Sequence, residues 1–424
     1  MTIETTTLHE QATSHAGRDA VRFGNDQDVH DGVQPRIVVT PTTRGGLAST
    51  LTWAFAQGLS VSVRGGGTKQ SWGGSWKAVD VLLCMTHFDR VIAHRHGDLT
   101  ATVEAGATLA AVNHELAAEG QWLPLDPPWP ERATIGGIVS TNDSGPARQT
   151  HGAPRDLIIG VTVARPDGAV AKAGGIVVKN VAGYDVSRLV TGAFGSLAVV
   201  IDATFKLAPR PRASRTVTVA SNSLEELETV IAAVSTSSLT PSAVELEWAP
   251  ARVIVRFDSV QTAVDQQADE LARLVAAVSA AAVATSLDEA VAETEVWGPY
   301  RQRWDEHGTL VKVSTVPRRL VPTLAWLRDA ADADGVRMAA QGRAALGVVD
   351  VLLDGPFDAQ ARVITALRAR CAPGDGSAVV RRGALALRHA IDPWGPIGDA
   401  LPVMRAIKQR FDPDGILNAG RGPA

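Results

Sequence analysis

The sequence predicts an α+β protein built in two parts, with a tail that returns to the first part. Three observations carry this. A β-α-β run leads into a glycine-rich loop at Gly65-Gly66-Gly67. A β-α-β-β-α order of segments occurs twice after residue 215. The chain from Asp392 onward is patterned too strongly for a frayed end.

In order, residues 1–30 are polar and aperiodic, which predicts a disordered or loosely docked arm. Arg36 to Thr40 reads as a strand after Pro35. Leu47, Leu51 and Phe55 form one helical stripe, closed by Gly58. Val61 to Arg64 returns as a strand and runs into the glycines, the place where ligands bind in open α/β sheets. Val79 to Cys84 and Thr100 to Val103 read as strands. Thr108 caps a helix with Leu109, Val112 and Leu116 on one face. Gln121 to Pro130, dense in proline and tryptophan, is irregular. Ala133 to Gly145 pairs two glycines with small hydroxyl and amide side chains, which let a polar ligand approach closely. Ile158 to Arg165, the turn Pro166-Asp167-Gly168 and Ala169 to Ala173 form a hairpin. A second glycine-rich turn, Thr191 to Ser196, feeds a strand that runs to Leu207. Pro209 and Pro211 mark a boundary.

The glycine loop has the physical character of a phosphate cradle. Glycine permits positive φ and close backbone approach, and successive N–H groups form an anion nest. Arg64 and Lys69 flank it with positive charge. The order of residues fits neither a Walker A loop, because Lys69 follows Thr68, nor a G-x-G-x-x-G turn, because the sixth position is Gln70. A glycine-rich surface loop is the alternative.

Composition narrows the function. The chain has 424 residues and a formal net charge of -4, which argues against general nucleic-acid binding. Two cysteines, Cys84 and Cys371, exclude a disulfide framework and a four-cysteine cluster within this chain. The longest apolar run, Leu274 to Ala284, is too short to span a bilayer. The N-terminus lacks the basic-then-apolar pattern of a signal peptide. A cytoplasmic protein is the expectation, with docking at the inner membrane allowed through partners.

The four motifs, taken together and in order, resemble the FAD-binding domain of the vanillyl-alcohol oxidase and p-cresol methylhydroxylase superfamily. The resemblance covers about Pro35 to Pro211 and the tail from Asp392. Within it, KNVAGYDVSRL, DPWGP and FDPDGILNAGR look most like the E subunit of bacterial glycolate oxidase. The resemblance implies an arm at 1–30, an FAD-binding domain at 31–212, a cap of two ferredoxin-like halves at 213–385 and a segment at 386–424 that packs back on the FAD domain. It implies that Arg64, Gly65, Gly66, Gly67 and Thr68 bind the pyrophosphate. Pro127, Thr134, Gly136, Gly137, Thr141, Asn142, Ser144 and Gly145 would wall the flavin and ribityl chain. Gly195, Ser196, Leu197, Val199 and Val200 would hold the adenine end, and Asn418 would approach the flavin ring.

Two departures from the resemblance matter. Residues 64–74 lack the His or Cys that tethers the flavin in some members, so FAD is expected to be non-covalent; His151 is the one nearby tether candidate. The cap motif H-x-G-D-G-N-x-H of related D subunits has Gly342 to Asp350 in its place, without His or Asn, so no metal is expected. His94 and His96 read as solvated surface. Tyr184, Lys179, His151, Arg343 and His389 could do acid–base work by type, but packing and cofactor support is the plainer role for Tyr184 and Lys179. No catalytic residue is assigned. The resemblance implies oxidation of a 2-hydroxy acid beside D-type flavoprotein and iron–sulfur subunits. A stand-alone FAD alcohol oxidase or dehydrogenase and a non-catalytic FAD relay subunit are the alternatives.

Overall fold

The computed structural model describes residues 3–176, 183–305, 307–371 and 376–424. The chain divides into two compact units. The first comprises residues 1–144, 152–210 and 396–424, and the second comprises 145–151 and 211–395.

The first unit contains two principal sheets. Strands β1 (Val21–Phe23), β2 (Ile37–Val39), β3 (Val61–Arg64) and β4 (Val81–Cys84) form one, in the order β1-β2-β4-β3. β4 runs parallel to both β2 and β3. Such pairing needs crossovers, and helix Arg44–Ala56 supplies the one between β2 and β3. Thr43 caps that helix, its Oγ1 accepting the Gly46 N–H at 3.0 Å. Leu47 and Leu51 are fully buried, as the sequence stripe requires, and Gly58 ends the helix at φ +63°.

The second sheet holds β5 (Val91–Arg95), β6 (Thr100–Glu104), β8 (Ile158–Ala164), β9 (Val170–Gly174) and β10 (Val199–Lys206), in the antiparallel order β5-β6-β10-β8-β9. A short pair, β7 (Gln121–Trp122) with β11 (Ala208–Pro209), lies apart. Helices Leu109–Leu116 and Ile135–Thr141 share one apolar core with this sheet. The second of these helices was not legible in the sequence, because its first turn carries Gly136 and Gly137.

The N-terminal arm corrects the sequence expectation. It is a helix, Ile3–Ala16, not a loose segment. Leu8 and Ala12, one turn apart, are buried with Ile37, Leu47 and Leu51, and His15 Nδ1 lies 2.9 Å from Ser49 Oγ. Two small apolar contacts suffice to dock a helix whose overall pattern is polar.

The tail is ordered by Asp412. Its carboxylate accepts the N–H groups of Ile416 at 3.0 Å and Leu417 at 2.9 Å and is paired with Lys408. Ile416 O then accepts the Val61 N–H, and the Asn418 N–H donates to Val61 O, both at 2.8 Å. The tail therefore extends the edge of β3.

The second unit holds one eight-stranded antiparallel sheet. Its strands are β12 (Ala213–Ala220), β13 (Ala243–Trp248), β14 (Arg252–Ser259), β15 (Val283–Asp288), β16 (Thr309–Thr315), β17 (Arg337–Arg343), β18 (Val348–Asp354) and β19 (Gly376–Arg382). The order is β15-β12-β14-β13-β17-β18-β16-β19. Each half reads β-α-β-β-α-β, and β13 pairs with β17 to join them. Helices Leu224–Thr236, Gln261–Val278, Pro317–Ala333 and Phe357–Cys371 cover one face over a shared apolar core. Residues 386–395 belong here and not to the returning tail, since the Val380 N–H bonds Pro393 O at 2.8 Å.

Candidate functional site

The loop that leaves β3 lines a cleft in the first unit. The opposite walls come from helix Ile135–Thr141, the 194–200 segment and the tail. Each wall is placed by a local device.

Gly65 and Gly66 are required by the chain itself. A Cβ on Gly65 would lie 2.1 Å from Thr134 Oγ1, and one on Gly66 would lie 1.7 Å from Arg132 O. Only glycine lets the 132–134 segment close on the loop. The Gly66 N–H reaches Thr134 Oγ1 at 3.4 Å, and Gly67 turns the chain at φ +73°. Helix Ile135–Thr141 starts beside this contact and ends at Asn142, φ +48°.

The 192–196 turn is fastened to the far end of the same helix. The Gly192 N–H bonds Val139 O at 2.9 Å and the Phe194 N–H bonds Ser140 O at 2.8 Å. Asn418 locks the assembly. Its Oδ1 accepts from Ser62 Oγ at 3.1 Å and the Val63 N–H at 3.0 Å, and its Nδ2 donates to Phe194 O at 2.9 Å. The Asn418 amide thus braces β3 against the turn. Arg421 reaches back to the carbonyls of Lys69 and Gln70, which leaves the loop's oxygens occupied.

The flanking cations differ from the sequence expectation. Arg64 pairs with Asp28 at 2.9 Å and also touches Cys84 Sγ at 3.4 Å. Lys69 is buried and pairs with Asp143 at 3.3 Å. Arg64 shares Asp28 with Arg22 and Lys69 faces Asp143, so the backbone N–H groups of the loop are its principal anion-binding element. Asp28 is itself strongly held. The Arg22 hydrogen bonds pull its pKa down to about 2 against the opposing effect of burial, with the Asn25 N–H and Arg64 assisting.

Of the residues singled out in the sequence, Gly65, Gly66, Gly67, Thr68, Thr134, Gly136, Gly137, Thr141, Gly195, Val199, Val200 and Asn418 line the cleft. Arg64, Pro127, Asn142, Ser144, Ser196 and Leu197 are not among its lining residues, and Gly145 falls in the second unit. Ser196 and Leu197 are buried behind the turn, where Ser196 O accepts from Lys408 Nζ at 2.7 Å. The segment Phe194 to Val200, expected at the adenine end, also contributes Phe194 and Ala198, while sequence reasoning did not assign Met85, Ala105, Ser140 or Arg421 as lining residues. Ser140 lay within the small-residue stretch Ala133 to Gly145 and Arg421 closed the patterned tail, whereas Met85 and Ala105 had no signal.

The acid–base candidates scatter. Tyr184 is 93% exposed, which removes the packing role expected for it. Lys179 lies outside the described residues. His151 sits in the second unit, and burial lowers its pKa. Arg343 is buried on the second unit's sheet against Asp350 at 3.0 Å. His389 lies on helix Leu385–Ala390 of the second unit. His94 Nε2 lies 2.9 Å from Gln121 Oε1 on β5, while His96 is exposed.

The cleft has the chemistry a dinucleotide needs: a glycine nest, small side chains on both long walls and a braced far end. Comparison with known proteins supports the match. Residues 35–188 match the FAD binding domain family. The chain is 26% identical over 242 residues to glycolate oxidase subunit GlcD of Bacillus subtilis (strain 168), covering 57% of this chain and 51% of that protein. It is 42% identical over 118 residues to glycolate oxidase subunit GlcE of Escherichia coli (strain K12), covering 28% and 34%. The chain thus spans about half or less of these two relatives. A D-2-hydroxyglutarate dehydrogenase of Xanthomonas citri pv. viticola is 26% identical across 440 aligned positions, covering 95% of this chain and 92% of the relative. Among solved structures, p-cresol methylhydroxylase with substrate bound superposes with a TM-score of 0.78 at 16% identity, covering 99% and 97% of the two chains. The chain therefore carries an FAD-binding domain, has the fold of p-cresol methylhydroxylase, and is related to glycolate oxidase subunits and D-2-hydroxyglutarate dehydrogenase.

Proposed function

We propose that this chain is the E-type flavoprotein subunit of a glycolate-type (2-hydroxy acid) dehydrogenase complex, with FAD held non-covalently in the cleft of the first unit. The observation that carries the proposal is the cleft, whose glycine loop, helix and tail are locked together by Thr134, Asn418 and Arg421. The backbone N–H groups from Gly65 to Thr68 would take the pyrophosphate. Thr134 to Thr141 would border the flavin and ribityl chain, and Phe194 to Val200 the adenine end. Arg64, Asn142, Ser144, Ser196 and Leu197 would support these walls from behind, and Pro127 would shape the approach to them.

Bound FAD would supply a two-electron acceptor for hydride from the carbon bearing the hydroxyl. The chain's own part is to bind, orient and shield. No tether is proposed, because the loop from Arg64 to Gly74 carries neither His nor Cys. We read the second unit, with its two β-α-β-β-α-β halves, as a duplicated ferredoxin-like cap. Electrons would leave through D-type flavoprotein and iron–sulfur partners, since Cys84 and Cys371 are separate buried thiols. Among the described residues no helix is long and apolar enough to cross a membrane.

The test is the visible spectrum of the purified chain during anaerobic addition of glycolate and of D-lactate. A flavin spectrum that bleaches places oxidation on this chain. A flavin spectrum unchanged in the lone chain but bleached with the D-type partner present assigns it a relay role, and one unchanged in both removes it from the electron path. Full turnover by the lone chain with oxygen or a quinone would replace the complex by a stand-alone enzyme.

A further inference from the structure

The tail helix Ala400–Phe411 differs from the other long helices of the first unit. Helices Ile3–Ala16, Arg44–Ala56 and Leu109–Leu116 each bury apolar side chains in a core. Leu401, Met404, Ile407 and Phe411 recur along one face of the tail helix, yet none of its residues is buried. Val403 is 61% exposed, and Met404 is exposed as well. The helix is held near its C-terminal end, where Lys408 Nζ donates to Ser196 O at 2.7 Å and pairs with Asp412. Met404 and Ile407 line a groove together with Leu189, Ala193 and Leu197 of the same unit. Tyr184, next in the chain to the lining residue Asp185, is 93% exposed. A single exposed apolar side chain is ordinary, but a groove lined by several of them marks an interaction surface.

The charge around the groove sets the kind of partner. Arg155, Arg188 and Lys408 are among its lining residues, and Asp185 is the one lining side-chain carboxylate. Asp185 is already engaged, by the Arg188 guanidinium at 3.4 Å and by the Arg188 N–H at 3.0 Å. The helix adds Arg405 and Arg410 and carries no acidic residue, in a chain whose formal net charge is -4. Two copies of this groove set face to face would bring like charges together, whereas acidic residues on a different protein would be attracted. The concave apolar floor suits anchor side chains that project from a helix or turn.

We infer that this groove is the docking site for an acidic segment with apolar anchor residues on the D-type flavoprotein partner. The identity of the partner rests on the function proposed above; the acidic and apolar character of the docked segment rests on the groove. The groove and the cleft use different residues of one turn. Gly192, Ala193 and Ser196 line the groove, and Phe194, Gly195 and Ala198 line the cleft. Met404, Arg155 and Arg188 line the groove and not the cleft, so they can be changed without touching the cofactor walls.

The experiment is calorimetric titration of the full chain, loaded with FAD where it binds, with the D-type flavoprotein subunit at low and at raised salt. The parent is expected to form a complex that weakens as salt rises. Met404→Glu should weaken it about tenfold or more, and so should Arg155→Glu combined with Arg188→Glu. Both variants should melt like the parent and keep its FAD content, because the replaced side chains are exposed. A complex as tight in both variants as in the parent overturns the inference and leaves the subunit reading standing. No complex with the parent removes the subunit reading, and this docking site with it. Self-association of the parent in sedimentation, lost in Met404→Glu, replaces the partner by a second copy and overturns the inference. Capture of the parent by phosphatidylserine vesicles, lost in the same variants, overturns it in favour of an anionic membrane.

Discussion

The glycine cleft of the first unit and the charged sheet face of the second unit carry their polarity in opposite ways. Beside the cleft, the flanking cations are engaged by carboxylates: Arg64, with Arg22, on Asp28, and Lys69 on Asp143. The loop itself presents backbone, shaped by residues without a Cβ, with Arg421 turned to its carbonyls at Lys69 and Gln70. On the sheet face the backbone is consumed by the ladder, and polarity is carried by side chains, with Asp350 between Arg343 and Arg381. An extended pyrophosphate suits a line of N–H dipoles. The difference teaches that cations next to a glycine loop need not be the cations that bind.

The comparison breaks first if the buried ion pair is not structural. Arg343→Met leaves Asp350 with half its support in a dry place, and should cost about 3–5 kcal/mol by chemical denaturation. The triple variant Arg343→Met, Asp350→Leu and Arg381→Met, which removes the whole buried group, should recover most of that loss. Next comes the nest. Gly66→Val drives a side chain into Arg132 O and should weaken FAD at least about 100-fold, or about 2.7 kcal/mol, read by fluorescence titration. Retained affinity would mean that the loop does not hold the dinucleotide.

A smaller effect concerns acid. Asp28 has a folded pKa of about 2, below its ordinary value of 3.8. Its contribution is therefore present above about pH 4 and is lost as pH falls toward 2. The size is about 1–2 kcal/mol, and Asp28→Asn should flatten that part of the stability–pH curve. The smallest effect is expected at Tyr184, which is 93% exposed. Tyr184→Phe should change stability by less than about 0.5 kcal/mol and leave FAD affinity unchanged.

The cleft was largely legible in the sequence because its parts are short and contiguous. Gly65 to Thr68, Thr134 to Thr141 and Gly195 to Val200 each announce themselves by glycine and small residues. Even so, the reason for Gly65 and Gly66 was misplaced: they admit the 132–134 segment as well as a ligand. The charged cluster on the sheet of the second unit was not legible. Glu245, Lys312, Gln341, Arg343, Asp350 and Arg381 come from five strands, and each appears in sequence as one polar residue within an apolar alternation. Only strand order and register bring them together. The docked N-terminal helix was hidden for a related reason. Leu8 and Ala12 are too few to make a stripe, and Ile37, Leu47 and Leu51 of the same core lie more than twenty residues away.

The central claim is that the cleft of the first unit binds FAD without a covalent bond. The most direct measurement is the flavin content of the purified chain before and after acid precipitation, with reconstitution of any flavin-free protein. The account predicts a yellow protein, or one that turns yellow with added FAD, whose flavin leaves entirely with the acid supernatant as FAD. Flavin that stays with the precipitate contradicts the non-covalent assignment, and a chain that takes up no flavin under any loading condition contradicts the site itself.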